Sequence, residues 1–308
     1  MKDYLRVAIV QTTADIKIAW GNPNNPRMDD LEAERVWQEI RDAVAPMAQL
    51  PKSRKPHIVV LPELTLPYNR EWMVFQLADQ IGSIIMVGED FLVDGDGNVE
   101  NRALVSIPGG WPFGDGLAVK KHFYVGKHFA AKEELIHFKK HHLRFKPGNQ
   151  FYVLDTVDYG KIGISICADF YDIERYAIYK GRVQHIFVLA YNKDIKSFYF
   201  LAEAISRLVY CNVVICNTGH YGGSIAFSLF NKDHKRFVYK HEGATLFTSQ
   251  IISLPVAEFV KEQAQGHLMA NKNFKSQPPE YHYQGPTIED EASVKDSKNE
   301  IRENTRNI

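Results

Sequence analysis

Leu5-Arg6-Val7-Ala8-Ile9-Val10 is nearly all apolar and barely alternates, the signature of a strand buried on both faces. Such a strand needs cover on each side, so this stretch predicts a layered α/β fold. Outward from it, Met28 to Leu50 places Leu31, Val36, Ile40, Val44 and Met47 at helical spacings among charged residues and stops before Pro51, which predicts an amphipathic helix. His57 to Leu61 is a second apolar run, ended by Pro62, and leaves Glu63 at the mouth of a strand. The alternation continues with a helix expected at Arg70–Gln80 and strands at Ser83–Gly88 and Arg102–Ile107. Further strands are expected at Leu117–Val125, Gln150–Leu154, Lys161–Ile166, His185–Leu189 and Asn212–Cys216, with helices at Asp172–Lys180 and Ser197–Tyr210. A hairpin, Ser224–Phe230 with Arg236–Tyr239, and a strand at Ala244–Leu254 close the series.

Composition narrows the function classes. The 308 residues carry 37 basic and 37 acidic side chains, so no global field favours nucleic acid or an anionic membrane, and a small substrate is expected. Cys167, Cys211 and Cys216 are too few, odd in number and wrongly spaced for a disulfide framework or a Cys-x-x-Cys zinc site. No metal or other cofactor is expected. Met1 to Arg6 runs into the first strand without a signal-like apolar region, and no run of 18 apolar residues occurs, so a cytoplasmic protein is expected. Residues 1–270 read as one domain. From 271 to 308 the chain turns to Lys, Asn, Gln, Pro, Glu and Ser, too poor in apolar groups to offset ordering entropy, and a flexible or partner-binding tail is expected.

Chemistry concentrates where strands end, because a sheet fixes the backbone while the following loop exposes the side chain. Glu63 in Val60-Leu61-Pro62-Glu63-Leu64 and Cys167 in Ile164-Ser165-Ile166-Cys167-Ala168-Asp169 both hold that position. Taken singly, each has a plainer reading: a buried free cysteine is usually a small core residue, and a glutamate after a strand is usually a cap or solvated. Between them lies a third ingredient, the lysine-rich stretch Ala118 to Glu134, with Lys120, Lys127 and the pair Glu133-Glu134. The basic, aromatic-interleaved stretch His137 to Lys146 reads as a solvated loop, with selection of an acidic substrate by Lys139 and Lys140 as the functional alternative.

The ordered series of glutamate, lysine and cysteine, each after a strand, resembles the nitrilase (carbon–nitrogen hydrolase) superfamily, here as a divergent member. Arg6-Val7-Ala8-Ile9-Val10-Gln11, Leu61-Pro62-Glu63-Leu64 and Gly160 to Asp169 carry the likeness, joined by Glu174-Arg175 and Ser206 to Gly219. It spans about residues 4 to 255. The resemblance implies a four-layer αββα sandwich, an oligomer built from dimers, and a Glu-Lys-Cys triad. Lys120, in Lys120-Lys121-His122-Phe123, fits the family's lysine wording, whereas Lys127 has the spacing to Glu134 found in divergent members and is preferred. The implied activity is hydrolysis of an amide, carbamoyl or nitrile compound through a Cys167 thioester, with Glu63 as base, Lys127 stabilising developing negative charge and Glu134 orienting the lysine or water. Acyl transfer from the same thioester, and a non-catalytic assembly protein of the same fold, are the alternatives.

Overall fold

The computed structural model describes residues 1–22, 25–114, 118–265 and 273–285. Two six-stranded sheets form its centre. In spatial order the first comprises Thr248–Pro255, Tyr4–Gln11, Ile58–Val60, Ile84–Gly88, Arg102–Ile107 and Lys121–Gly126. The second runs Phe237–His241, Ser224–Phe227, Asn212–Asn217, His185–Ala190, Lys161–Ile166 and Val153–Asp155. The central strands of each sheet pair in parallel and the outer ones antiparallel.

The unbroken apolar run at Leu5–Val10 has a direct cause. Val7 and Ile9 pack toward the second sheet with Ile58, Val60, Ile84, Ile164 and Ile166. Ala8 and Val10 pack on the opposite side with Val36, Trp37, Ile40 and Val44 of the helix Asp30–Val44 and with Val74 and Ala78 of Glu71–Ile81. The helices Ile173–Tyr179 and Ile195–Ile205 contribute Tyr176, Tyr179, Phe198 and Ala202 to the second sheet's core. The result is the helix, sheet, sheet, helix sandwich that the family resemblance implies.

Several boundaries and elements differ from expectation. The helix begun at Asp30 turns 3₁₀ at Ala45–Gln49, where Pro46 cannot extend the α-helical ladder. The strand expected from Leu117 begins at Lys121, and its first residue lies outside the described residues. Val153–Asp155 replaces the strand expected at Gln150–Leu154. The stretch read as a solvated loop from His137 is instead partly helix, Lys132–Lys140, with Phe138 buried against Leu64, Phe91 and Val99. Three short strands, Leu92–Val93, Asn98–Glu100 and Arg144–Phe145, form a small extra sheet beside it.

The tail expected at 271–308 needs correction over part of its length. Residues 271–272 and 286–308 lie outside the described residues, but 273–285 pack on the body after a further helix, Ala257–Gln265. Phe274 stacks on Phe230 with ring centroids 5.0 Å apart and meets Phe259 at 5.2 Å. Gln277 Nε2 donates to the carbonyls of Glu262 and Gln263 at 2.8 and 3.0 Å, satisfying acceptors left open at that helix's C-terminal end. A few well-placed groups order this segment despite its polar composition.

Candidate active site

Strand ends build the site. Glu63 follows Ile58–Val60, Cys167 follows Lys161–Ile166, and Tyr191 follows His185–Ala190, all central parallel strands. Lys127 follows the edge strand Lys121–Gly126, and Glu134 sits in the first turn of Lys132–Lys140. The four residues singled out in the sequence, Glu63, Lys127, Glu134 and Cys167, line one cavity of about 360 Å³.

Lys127 is 1% exposed and its ammonium lies between two carboxylates. Nζ donates to Glu63 Oε1 at 2.8 Å and to Glu134 Oε2 at 2.6 Å. Glu63 Oε2 accepts from the backbone N–H of Tyr191 at 3.0 Å, and Glu134 Oε2 accepts from the N–H of Ala131 at 2.5 Å. Lys120 lies elsewhere, exposed and paired with Asp79. Glu133 reaches the cavity edge, where it pairs with Lys193 at 3.1 Å, both side chains largely in solvent. The spacing of seven between Lys127 and Glu134 is thus the span of one turn and one capped helix start, and it distinguishes the buried members of each pair from the exposed ones.

Asn101 belongs to this network, and the sequence reading missed it. Its Nδ2 donates to Glu63 Oε1 at 2.8 Å and to Glu134 Oε1 at 3.0 Å, and its backbone carbonyl accepts from the N–H of Lys127 at 2.8 Å. The one available signal was its place just before the apolar strand Arg102–Ile107, the same strand-edge logic that singled out Glu63. Asp169 ties a second pair of loops together. It accepts from the N–H groups of His128 at 3.0 Å and Phe129 at 2.9 Å and from the fully buried Arg175 at 2.9 Å, so the turn after Cys167 holds the chain just beyond Lys127.

The electrostatics follow from burial. Burial works against the charge on Lys127, but the charges of Glu63 and Glu134 outweigh it and hold the ammonium charged well above the ordinary lysine range. Burial, reinforced by Glu63, pushes the Cys167 thiol well above its usual range, while Lys127 and the Tyr191 N–H pull the other way. The resting group is therefore a thiol beside a carboxylate, and it needs a base before it can attack. Cys167 is 8% exposed and adopts φ +43°, a left-handed backbone uncommon for a side-chain-bearing residue and found where surrounding structure holds a reactive group in place. Cys211 and Cys216 are fully buried, away from the cavity wall, and burial pushes both thiols up.

The fold is that of the nitrilase-type αββα proteins. An amidase from a Nesterenkonia species aligns over 83% of this chain and 92% of its own at 15% identity and a TM-score of 0.57. A variant of the Nesterenkonia sp. AN1 amidase, with the acetamide moiety of fluoroacetamide added covalently at its active-site cysteine, aligns over 84% and 93% at 15% identity and a TM-score of 0.58. A CN-hydrolase superfamily protein from Xanthomonas campestris, with an arsenic adduct in its active site, covers 85% and 95% at 16% identity and a TM-score of 0.57. No family model and no curated protein matches the sequence. Among the described residues no helix is long and apolar enough to cross a membrane.

Proposed function

We propose that the protein hydrolyses a non-peptide carbon–nitrogen bond, in an amide, carbamoyl or nitrile compound, through an acyl-thioester on Cys167. The observation that carries this reading is the buried Glu63–Lys127–Glu134 network in the wall of the cavity that also holds Cys167. A structural ion pair alone has no need of a cavity or of a thiol beside it. The amidase of the same fold that carries a covalent adduct at its cysteine lends support to a covalent route.

For an amide, Glu63 takes the thiol proton as Sγ bonds to the carbonyl carbon, and the carbonyl π electrons move to oxygen. Lys127, already charged, stabilises that oxyanion; removing such a group costs about 10²–10³ in rate. The C–N bond breaks as protonated Glu63 returns its proton to the departing nitrogen. Water, deprotonated by Glu63, then attacks the thioester, and the acid leaves with the thiol restored. Glu134 and Asn101 keep Lys127 and Glu63 aligned throughout.

Self-association into dimers or larger homo-oligomers is part of the same proposal. It is supported by the exposed apolar side chains Ile173, Phe200 and Leu208 on neighbouring helical elements, and sedimentation velocity tests it.

The decisive assay is ammonia or amine release from a panel of amides, carbamoyl compounds and nitriles. Turnover lost in Cys167→Ala, with acyl mass found on Cys167 of the unsubstituted protein, is the expected result. Undiminished turnover in Cys167→Ala would sink the proposal.

A further inference from the structure

Beyond the reacting groups, the cavity is walled by Trp20, Leu64, Phe91, Phe138, Tyr191 and Tyr221. These rings pack edge to face: Trp20 meets Phe91 at 5.9 Å and Tyr191 at 5.1 Å, and Phe91 meets Phe138 at 5.5 Å between centroids. Two of their polar tips are satisfied by protein groups. Trp20 Nε1 donates to the buried Asp90 at 2.9 Å, and the Tyr191 hydroxyl donates to the carbonyl of Ala14 at 2.8 Å. Asp90 also accepts from the N–H groups of Met28 at 2.7 Å and Phe91 at 2.9 Å, so one carboxylate anchors Trp20 and the backbone of Phe91 together.

The charges of the wall are already committed. Glu63, Lys127 and Glu134 hold one another, and Glu133 and Lys193 pair at the edge. Acidic groups outnumber basic ones three to two among the described lining residues. Partial burial, with His141 and Lys140 nearby, lowers the His137 pKa and so disfavours a further cation there. An anionic substituent placed here would meet a negative balance and surrender its hydration to aromatic carbon.

Cys167 also borders a second, wider cavity of about 1000 Å³, lined by Phe129, Tyr171, Asp172 and Phe198 among others. The acyl group must stay bonded to sulfur while the amine departs and water arrives. The smaller aromatic chamber suits the part that stays, and the wider one gives passage to the parts that exchange.

We infer that the aromatic chamber is an acyl-selecting subsite for an uncharged aryl or branched-alkyl group, and that Phe91 and Phe138 set this specificity. The inference rests on the proposed thioester chemistry for which end of the substrate enters, but not for the preference itself. Its test is therefore made first on binding, by calorimetry with Cys167→Ala protein and three probes: phenylacetamide, acetamide and succinamate. Phenylacetamide should bind about tenfold or more tightly than succinamate, the scale on which apolar pockets discriminate. Phe138→Leu and Phe91→Leu, which keep the wall apolar but remove its rings, should each reduce that preference severalfold at a temperature where the melting transition shows the variant still folded. Equal or inverted affinities for phenylacetamide and succinamate would overturn the subsite whatever the enzyme's activity. Selective phenylacetamide binding without turnover by the unsubstituted protein would uphold the subsite and count against hydrolysis. With turnover, kcat/KM should follow the same order as binding.

Discussion

At the residue scale, the candidate site sets one buried cation against two carboxylates, with a thiol in the same cavity wall. Replacing Lys127 by Met removes the proposed oxyanion donor and leaves Glu63 and Glu134 facing each other at low solvation. Two losses are therefore expected: kcat falls about 10²–10³-fold, and stability falls by about 3–5 kcal/mol from the uncompensated buried charge. Assays normalised to the folded fraction, with urea unfolding alongside, separate them. Cys167 borders the cavity, and the same cation offsets part of the burial that raises its thiol pKa, so alkylation by iodoacetamide at pH 8 should go to Cys167, leave the fully buried Cys211 and Cys216 untouched, and slow severalfold in Lys127→Met. Labelling that spreads equally over the three cysteines would contradict the arrangement. A second electrostatic prediction concerns Glu89, which burial pushes up to about 7 despite its pairing with Arg102. A carboxyl raised in the folded state contributes stability that is fully present below about 4.5 and is lost as pH rises through about 7. Relative to Glu89→Gln, the unsubstituted protein should lose up to about 3 kcal/mol between pH 4.5 and pH 8, read from urea midpoints at each pH. A difference that grows in the opposite direction would refute the assignment.

At the element scale, the parallel strands explain why so much of the site was legible. Lys161–Ile166 has the predicted length, with Ile162, Ile164 and Ile166 separated by small residues, and whatever follows such a strand emerges at the sheet's end, so Cys167 and Glu63 stood out as candidates by position and were singled out once the lysine between them was counted. The strand alone leaves two lysines, because Lys120 and Lys127 both flank Lys121–Gly126, and the seven-residue spacing to Glu134 is what favoured Lys127. The physical reason for that spacing, the helix start that carries Glu134, was hidden by the charges and histidines of the helix's exposed face. Asn101 was illegible for a related reason: its role depends on a side chain reaching two carboxylates 38 and 33 residues away. One glycine shows how tightly the elements converge. A Cβ on Gly88 would stand 2.4 Å from the Cα of Glu63, backbone that cannot yield without moving the carboxylate. Gly88→Ala should thus lower kcat about tenfold or more in the protein that still folds, since small misplacements of reacting groups cost on that order. Activity within twofold of the unsubstituted protein would show that the strand end has slack.

At the scale of the whole molecule, the two sheets share one core, and the segment 273–285 closes its edge rather than hanging free. Composition argued for disorder because it averages over the segment, whereas the ordering comes from three positions. Phe274 fills the gap between Phe230 and Phe259, Gln277 caps Ala257–Gln265, and Tyr281 meets Tyr210 at 5.4 Å between ring centroids. Tyr210 in turn lies at the end of the helical elements that carry Phe198 and Ala202 into the second sheet's core, and its hydroxyl donates to the Lys275 carbonyl at 2.6 Å. The segment is therefore coupled to the sandwich through packing, and its loss should be felt as global stability. Phe274→Ala should cost about 3–5 kcal/mol, the range for emptying a buried aromatic site, whereas Phe200→Ala, at a largely exposed position, should stay within about 0.5 kcal/mol in the monomer. Both are measured by urea unfolding followed by tryptophan fluorescence at low protein concentration. If Phe274→Ala left the midpoint unchanged, residues 273–285 would be an ornament on the fold and not part of its core.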